Sequence, residues 1–280
     1  MQLDVHGHAT FCYTGGKAFN PALPTAVFIH GVLNDHSVWI LQTRYLAHHG
    51  WNVLAIDLPG HGKSGGDAPA SVEGAALSVA ALLDAAGVHK AALIGHSWGS
   101  LIALEIAATR SDRVSHLAMV GTAFPMAVSP ALLAMSQAQP LQAIDLVNQF
   151  SHSMLAPPPS AMGPGTWLYG TARALMRRVL ASNGAVNVFH RGFKACDDYK
   201  MGLEAMARVR CPVLLVLGQN DQMTPPKAAQ GLVSHAASAV VVVVVAAGHQ
   251  MMLEAPEAVL SALKDFLKPT LISTTPIATI

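Results

Sequence analysis

Charged side chains are scarce in this chain: only 12% of its 280 residues are Asp, Glu, Lys or Arg. The 17 basic residues nearly balance the 16 acidic ones, so the formal net charge is only +1. A chain with so little net charge has no strong field to attract nucleic acid or an anionic membrane surface. We therefore expect neither as a partner, and a small, largely uncharged molecule fits better as the substrate.

Long apolar runs are also missing, although hydrophobic residues make up 52% of the chain. The longest run, AVVVVVVAA at 239–247, is well short of the ~20 residues that a membrane-spanning helix needs. Its six valines predict a buried β-strand instead. The N-terminus has no basic start followed by an apolar stretch, which predicts no signal peptide and a cytoplasmic protein.

Cysteine is rare as well. The three cysteines, Cys12, Cys196 and Cys211, are widely spaced and form no C-x-x-C pair. We expect reduced packing residues rather than a disulfide framework or a metal site. The adjacent His48 and His49 have no cysteine or acidic partners that would indicate a metal site. The sequence predicts neither a metal nor a cofactor, and it does not indicate an oligomeric state.

Short apolar runs alternate with helical segments between residues 26 and 121, which is typical of a mostly parallel sheet. From 124 to 207 this alternation stops and helical stretches follow one another, so we predict an inserted helical cap at 124–207. The alternation then resumes, and the core domain is predicted to consist of 1–123 and 208–268. The tail, 269–280, has no periodic pattern and is predicted to be irregular. The predicted strands are 26–30, 52–57, 91–95, 114–120, 212–218 and 239–247, and the predicted later helices are 225–233 and 256–267.

The stretch GHSWG at 95–99 lies directly between a predicted strand and a predicted helix. A sharp strand-to-helix turn holds its central residue, Ser97, in strained geometry and brings the residues two before and two after almost into contact. Gly95 and Gly99 avoid the clash that side chains would cause. The turn would raise the serine oxygen above the carboxyl edge of the sheet, where open α/β sheets bind ligands. Ser97 is therefore a candidate nucleophile.

A serine nucleophile needs a histidine base that a carboxylate orients. With fourteen histidines in the chain, residue type alone selects nothing, but position does. His249 follows the valine strand and Asp221 follows the strand before it, so both loops should open at the edge where Ser97 lies. The nearby carboxylates Asp197 and Asp198 are rivals that we expect to be structural.

The negative oxygen formed by attack on a carbonyl needs hydrogen-bond donors. One is the backbone N–H of Trp98, the residue after the nucleophile. The loop after the first predicted strand, beginning HGV at 30–32, supplies a second in the backbone N–H of Val32. His30, His61 and His96 border these motifs, and we interpret them as hydrogen-bonding residues that shape the floor of the pocket.

Taken in order, HG at 30, DLPGHGKS at 57–64, GHSWGS at 95–100, GQND at 218–221 and AGH at 247–249 resemble the α/β-hydrolase superfamily over nearly the whole chain. The resemblance implies an eight-stranded sheet with a helical cap inserted after the sixth strand. It also implies Ser97 as nucleophile, His249 as base and acid, Asp221 as its orienting carboxylate, and the Val32 and Trp98 amides as the oxyanion hole.

The expected activity is that of a cofactor-independent serine carboxylesterase acting on small to medium apolar esters. The serine distinguishes the chain from relatives that use an aspartate nucleophile. A carbon–carbon (vinylogous diketone) hydrolase, a thioesterase and a carrier-protein methyl esterase stay open as alternatives. A non-catalytic ligand receptor is a remote one. The cap methionines either form a small helical core or line an apolar pocket, to which Trp39, Trp98 and Trp167 could contribute walls.

Overall fold

The computed structural model describes residues 1–153, 166–244 and 246–268. Its strands form one sheet in the order β1-β2-β4-β3-β5-β6-β7-β8. The pairs β1–β2 and β2–β4 are antiparallel, and the remaining neighbouring pairs are parallel. The predicted eight-stranded, mostly parallel sheet is therefore confirmed. The strands are β1 (Gln2–Val5), β2 (His8–Tyr13), β3 (Thr25–Ile29), β4 (Asn52–Ile56), β5 (Ala91–His96), β6 (Val114–Val120), β7 (Val213–Gly218) and β8 (Ala239–Val244).

Eleven α-helices occur in the described part of the chain, and the last has the predicted bounds. Helix α2 begins after Ser71, whose hydroxyl accepts a hydrogen bond from the otherwise free Gly74 N–H at 3.0 Å. The helices are α1 (Ile40–Ala47), α2 (Val72–Ala85), α3 (Trp98–Thr109), α4 (Pro130–Ala138), α5 (Pro140–Ser151), α6 (Leu168–Ala181), α7 (Val188–Asp198), α8 (Gly202–Arg208), α9 (Gln230–His235), α10 (Met251–Glu254) and α11 (Pro256–Leu267).

Strands β3, β4, β5 and β7 are buried along their whole length because helices cover both faces of the sheet. On β3, Val27 and Ile29 belong to one buried cluster, whereas Ala26 and Phe28 belong to a second cluster on the opposite face. This alternation follows from the two-residue period of a β-strand. The two hydrophobic cores hold the carboxyl ends of the strands at fixed positions, and the loops that follow those ends carry the candidate site.

The valine strand was wrongly predicted to be buried. Strand β8 lies at the end of the sheet order, so it has a neighbour on one side only. Val240, Val241 and Val243 are 55%, 41% and 48% exposed. The predicted end at Ala247 was also too late, because Ala246 has a φ of 57°, which an extended strand does not allow. The valines reflect the preference of β-branched residues for strands rather than burial.

Helices α4 to α7 lie between β6 and β7 in the chain, within the predicted cap at 124–207. The last helix of that range, α8, packs against α3 and α9. It also packs closely on the segment after β6, since a Cβ on Gly202 of α8 would overlap the ring of Phe124. The division into core and cap stays a prediction, and the predicted irregular tail at 269–280 lies outside the described residues.

None of the helices in the described ranges is long and apolar enough to cross a membrane.

Candidate active site

Ser97 lies at the turn between β5 and α3, with φ 53° and ψ −120°. A positive φ is strained for a residue with a side chain, and such strain persists only where the surroundings enforce it. A Cβ on Gly95 would overlap the carbonyl of Gly99, and a Cβ on Gly99 would overlap the carbonyl of Ile29. Gly95 is therefore needed for the reason that the sequence predicted, its close approach to Gly99, whereas Gly99 is needed because β3 passes close to the turn.

The turn is held by hydrogen bonds of the Ser97 backbone, which leave its side chain at the surface of the sheet edge. The Ser97 N–H donates to the Val120 carbonyl at 2.9 Å, and the Ser100 N–H donates to the Ser97 carbonyl at 2.8 Å. The flanking side chains of His96 and Trp98 are buried, whereas Ser97 is half-buried. The fold therefore presents the serine at the carboxyl edge of the sheet.

His249 and Asp221 form a buried pair, with 2.8 Å between His249 Nδ1 and Asp221 Oδ2. Burial alone would raise the pKa of Asp221, but the adjacent imidazole and the hydrogen bonds from His249 and Thr224 lower this pKa to about 2. The carboxylate is therefore ionised at neutral pH. Because an ionised carboxylate only accepts hydrogen bonds, Nδ1 carries the proton and Nε2 can accept one.

The two loops that carry this pair are packed directly on each other. The Asn220 N–H donates to the Ala247 carbonyl at 2.9 Å. A Cβ on Gly218 would lie 2.5 Å from the Gly248 carbonyl oxygen, so glycine is needed at the end of β7 for this close approach. Two neighbouring parallel strands thus bring residues 28 positions apart in the chain into contact.

Thr224 is a residue of this site that sequence reasoning missed. Its hydroxyl donates to Asp221 Oδ2 at 2.6 Å and lies 3.1 Å from His249 Nδ1. The Met223 and Thr224 N–H groups donate to the other carboxylate oxygen, at 2.8 and 2.7 Å. An aspartate followed three residues later by threonine is a turn-forming pattern, and this signal could have identified Thr224.

His249 also lies against the residue that precedes the serine. The rings of His96 and His249 have centroids 4.6 Å apart, and His96 Nε2 donates to the His249 carbonyl at 3.0 Å. A Cβ on Gly121 would lie 3.2 Å from both rings. The Ser97 hydroxyl forms no hydrogen bond with His249 within the described residues. Unliganded sites often show such open contacts, which close in the substrate complex.

The loop that carries Val32 and the residue Trp98 both lie next to Ser97. A Cβ on Gly31 would lie 3.1 Å from the Ser97 Cβ, so the loop after β3 passes beside the serine. Trp98 is the first residue of α3, where backbone N–H groups have no partner within the helix. In the described ranges neither the Val32 N–H nor the Trp98 N–H donates to another group of the protein. Their role as an oxyanion hole stays a prediction.

The three histidines that border the motifs, His30, His61 and His96, are buried, and each ring forms at least one hydrogen bond. His30 Nε2 accepts from the Leu58 N–H at 3.1 Å, and its Nδ1 donates to the Gly31 carbonyl at 2.8 Å. Burial lowers the pKa of His30, and it lowers the pKa values of His61 and His96 to about 3. These rings are therefore neutral, and their hydrogen bonds stabilise the loops.

A second carboxylate–imidazole pair lies at the same edge of the sheet. His36 Nδ1 is 2.7 Å from Asp57 Oδ1, and Asp35 is close enough for the three side chains to place ligand atoms within 4.8 Å of one another. Their oxygens already accept hydrogen bonds, Asp57 from the His36 and Lys63 N–H groups and Asp35 from Ser37 and Arg178. The cluster is thus satisfied by the protein, and we assign it no metal.

A cavity of about 730 Å³ lies between α1, α6 and Leu253. Of the three tryptophans considered as pocket walls, Trp167 lines this cavity and is 60% exposed, whereas Trp39 and Trp98 are fully buried. Ser97, Asp221 and His249 are not among the residues that line it. The candidate active site is therefore defined by the geometry around the serine and not by this cavity.

The comparisons with known proteins point the same way as this geometry. The family model of the alpha/beta hydrolase fold matches residues 24–256. A pimeloyl-[acyl-carrier protein] methyl ester esterase of Neisseria meningitidis serogroup C is 30% identical over 268 residues, which cover 90% of this chain and 96% of that protein.

Solved structures add evidence on the fold. The enol-lactonase from Burkholderia xenovorans LB400 has a TM-score of 0.79 at 20% identity, covering 96% of this chain and 100% of that one. A thermophilic esterase has a TM-score of 0.77 at 26% identity, covering 96% of each chain. The strand order, the strained serine turn and the family match lead to one conclusion: the chain belongs to the alpha/beta hydrolase family.

Proposed function

We propose that this protein is a serine carboxylesterase that cleaves small to medium apolar esters through an acyl-enzyme. The observation that carries the proposal is the position of Ser97. It is strained and half-buried at the sheet edge, the loop that carries Val32 passes beside it, and its neighbour His96 contacts His249 of the buried His249–Asp221 pair. Such a constellation is recognised by geometry and roles rather than by sequence position.

The reaction begins when the Ser97 oxygen attacks the ester carbonyl carbon and His249 Nε2 takes the hydroxyl proton. The Val32 and Trp98 N–H groups stabilise the resulting oxyanion. His249 then gives its proton to the departing alkoxide, which leaves as the alcohol, and the acyl group stays on Ser97. Water, deprotonated by His249, attacks the acyl-enzyme, and the acid is released as Ser97 regains its proton.

Asp221 holds the imidazole in the orientation and tautomer that this sequence requires. Since its pKa is lowered to about 2, it stays ionised throughout and stabilises the positive charge that develops on His249. Thr224 reinforces this role, because its hydroxyl donates to the same carboxylate oxygen that His249 contacts. We assign the cap at 124–207 the role of restricting which esters reach Ser97.

The experiment is a turnover assay with p-nitrophenyl esters from acetate to octanoate. We expect hydrolysis in the wild type, labelling of Ser97 by a fluorophosphonate, and loss of both in Ser97→Ala. If the wild type hydrolysed none of these esters, gave no burst of p-nitrophenol and took no label, the esterase proposal would be lost. Thioesters and vinylogous diketones in the same panel distinguish the alternative reactions.

A methyl ester of a carrier-protein-bound acyl chain is a second candidate substrate. It is favoured by the 30% identity with the Neisseria meningitidis pimeloyl-[acyl-carrier protein] methyl ester esterase over nearly the full length of both proteins. Turnover of such a carrier-bound methyl ester is compared with that of the free methyl ester of the same acid. A preference of more than about tenfold in kcat/KM for the carrier-bound form would support this candidate.

The cytoplasmic location stays a prediction, which cell fractionation tests.

A further inference from the structure

Glu254, the last residue of α10, joins two parts of the molecule that are far apart in the chain. Its Oε2 accepts a hydrogen bond from the Gly248 N–H at 2.7 Å, and Gly248 directly precedes His249. Its Oε1 accepts from both the N–H and the hydroxyl of Ser153, at 2.8 and 2.6 Å. One half-buried carboxylate therefore ties the loop of His249 to the segment that follows α5.

The same two segments also meet through their backbones. The Gln250 N–H donates to the Ser151 carbonyl at 2.9 Å. A Cβ on Gly248 would lie 2.7 Å from the Ser153 nitrogen and 2.8 Å from the His152 carbonyl carbon. Gln250 is thus hydrogen-bonded to the segment Ser151–Ser153, which belongs to the predicted cap, whereas Gly248 packs directly against this segment and is linked to Ser153 through Glu254.

His249 is consequently held from two sides. On the core side, Asp221 fixes its ring, and the loop after β7 bonds the backbone just before it. On the other side, Glu254 accepts a hydrogen bond from the Gly248 N–H and links it to Ser153, and Ser151 of the predicted cap accepts one from the Gln250 N–H. Without Glu254 three hydrogen bonds would be lost, and the Gly248 N–H would have to find another partner.

We propose that Glu254 is a positioning residue that makes the alignment of the catalytic base depend on the position of the cap. This rests on the proposed function of His249. Contacts between a substrate and the cap would then act on the base through Ser153, Glu254 and Gly248. Because misplacing a reacting group by about 1 Å can cost ~100-fold in rate, small shifts at this link have large effects on turnover.

The test compares Glu254→Ala and Glu254→Gln with Glu257→Ala, an exposed glutamate three residues further along. For Glu254→Ala we expect kcat to fall by about 10- to 100-fold while KM changes by less than about threefold. Glu254→Gln should recover part of the loss, because its amide retains one acceptor oxygen. Glu257→Ala should match the wild type.

Ser153→Ala adds a second comparison. It removes the hydroxyl hydrogen bond to Glu254 and leaves the hydrogen bond from the Ser153 N–H in place. We expect a fall in kcat of a few-fold, smaller than that of Glu254→Ala. Melting temperatures of all variants show which of them are folded, and rates are compared per folded protein. A Glu254→Ala variant that is folded and has wild-type kcat would overturn the proposal, as would a loss confined to KM.

Hydrogen exchange at the amides provides a readout that does not depend on esterase activity. In Glu254→Ala, peptides covering 246–254 and 148–153 should exchange faster together, while peptides from β3 and β5 keep their rates. Unchanged exchange in both segments would overturn the proposal. Failure of the esterase proposal is distinguishable, because it would appear as wild-type inactivity or as full activity in Ser97→Ala.

Discussion

Two carboxylate–imidazole pairs, each with a buried carboxylate, lie at the carboxyl edge of the same sheet, and only one of them is proposed to be catalytic. The distance from His249 Nδ1 to Asp221 Oδ2 is 2.8 Å, and the distance from His36 Nδ1 to Asp57 Oδ1 is 2.7 Å. In both pairs, burial works to raise the pKa of the aspartate but the histidine and the hydrogen bonds lower it. The two pairs thus have nearly the same distance and the same direction of pKa shift. Their different roles must therefore come from the residues around them.

The two histidines have different neighbours. The ring of His249 packs against His96, the residue before the strained serine. The ring of His36 packs against Phe11 at 4.7 Å, and its own backbone N–H is bound to Asp57. The adjacent serine, Ser37, donates its hydroxyl to Asp35. We therefore interpret His249 as a base that Asp221 orients. The pair of His36 and Asp57 is interpreted as stabilising the loops after β3 and β4.

The largest expected effect concerns the serines beside these two pairs. Ser97→Ala should lower kcat by about a million-fold, because the nucleophile is removed while the turn keeps its glycines. Ser37→Ala should leave kcat within about tenfold of the wild type, since it loses only a hydrogen bond to Asp35. Steady-state kinetics, with circular dichroism to show that both variants are folded, makes the comparison. Comparable losses in the two variants would contradict it.

The next effect separates the two carboxylates. Asp221→Asn should lower kcat by about 10,000-fold, because the amide no longer enforces the tautomer in which Nε2 accepts a proton. Asp57→Asn should lower kcat by less than about tenfold per folded molecule. It should nevertheless destabilise the fold, because the Lys63 N–H loses the carboxylate oxygen that accepts its hydrogen bond. Active-site titration corrects both rates for the fraction of competent protein. Equal losses would mean that the second pair takes part in the chemistry.

The sequence predicted those features of the site that depend on a strand and the loop directly after it. The turn at Ser97 could be read from its two glycines, and Asp221 and His249 could be selected because each follows a strand end. The pair of Asp57 and His36 was not predicted, because no motif in the sequence connects His36, beyond the end of β3, with the carboxylate that follows β4.

Features that depend on distant packing were missed for the same reason. Ser153 and Glu254 lie 101 residues apart, and nothing near either residue indicates the contact. The exposure of β8 follows from its place at the sheet edge, which six valines do not reveal. Local patterns thus predict strands, turns and the residues at their ends, whereas contacts between cap and core emerge only from the folded chain.

Acid stability provides a third way to compare the carboxylates. The folded-state pKa of Asp221, about 2, is below its ordinary value, so its contribution to stability is complete above about pH 4 and is lost as the pH falls toward 2. This contribution is on the order of 2 kcal/mol for Asp221. The pKa of Asp57 is lowered as well, so Asp57 acts in the same direction.

Urea unfolding between pH 2 and pH 6 measures this dependence. Relative to the wild type, Asp221→Asn and Asp57→Asn should each flatten the fall in the free energy of unfolding at acid pH. The exposed Asp112→Asn serves as the control and should keep the wild-type slope. A wild-type slope in Asp221→Asn would show that its carboxylate is not stabilised as an anion in the folded protein.

The smallest expected effect is at Thr224, whose hydroxyl donates to the Asp221 carboxylate, whereas no side-chain hydroxyl within the described ranges donates to the Asp57 carboxylate. Thr224→Val keeps the shape and the backbone N–H but removes the donor to Asp221 Oδ2. We expect kcat to fall by about tenfold or less, with KM unchanged. Stopped-flow measurement of acylation and deacylation should show both steps slowed, because His249 acts in each. A rate equal to the wild type would limit Thr224 to a structural role.

The nucleophile is identified by locating the covalent adduct of a fluorophosphonate by tandem mass spectrometry. We expect one adduct per chain, on Ser97 and not on Ser100 of the same tryptic peptide. Labelling should be lost in His249→Ala and retained in His36→Ala. An adduct on Ser37 or on any other residue, or an unlabelled protein that still hydrolyses esters, would mean that Ser97 is not the nucleophile.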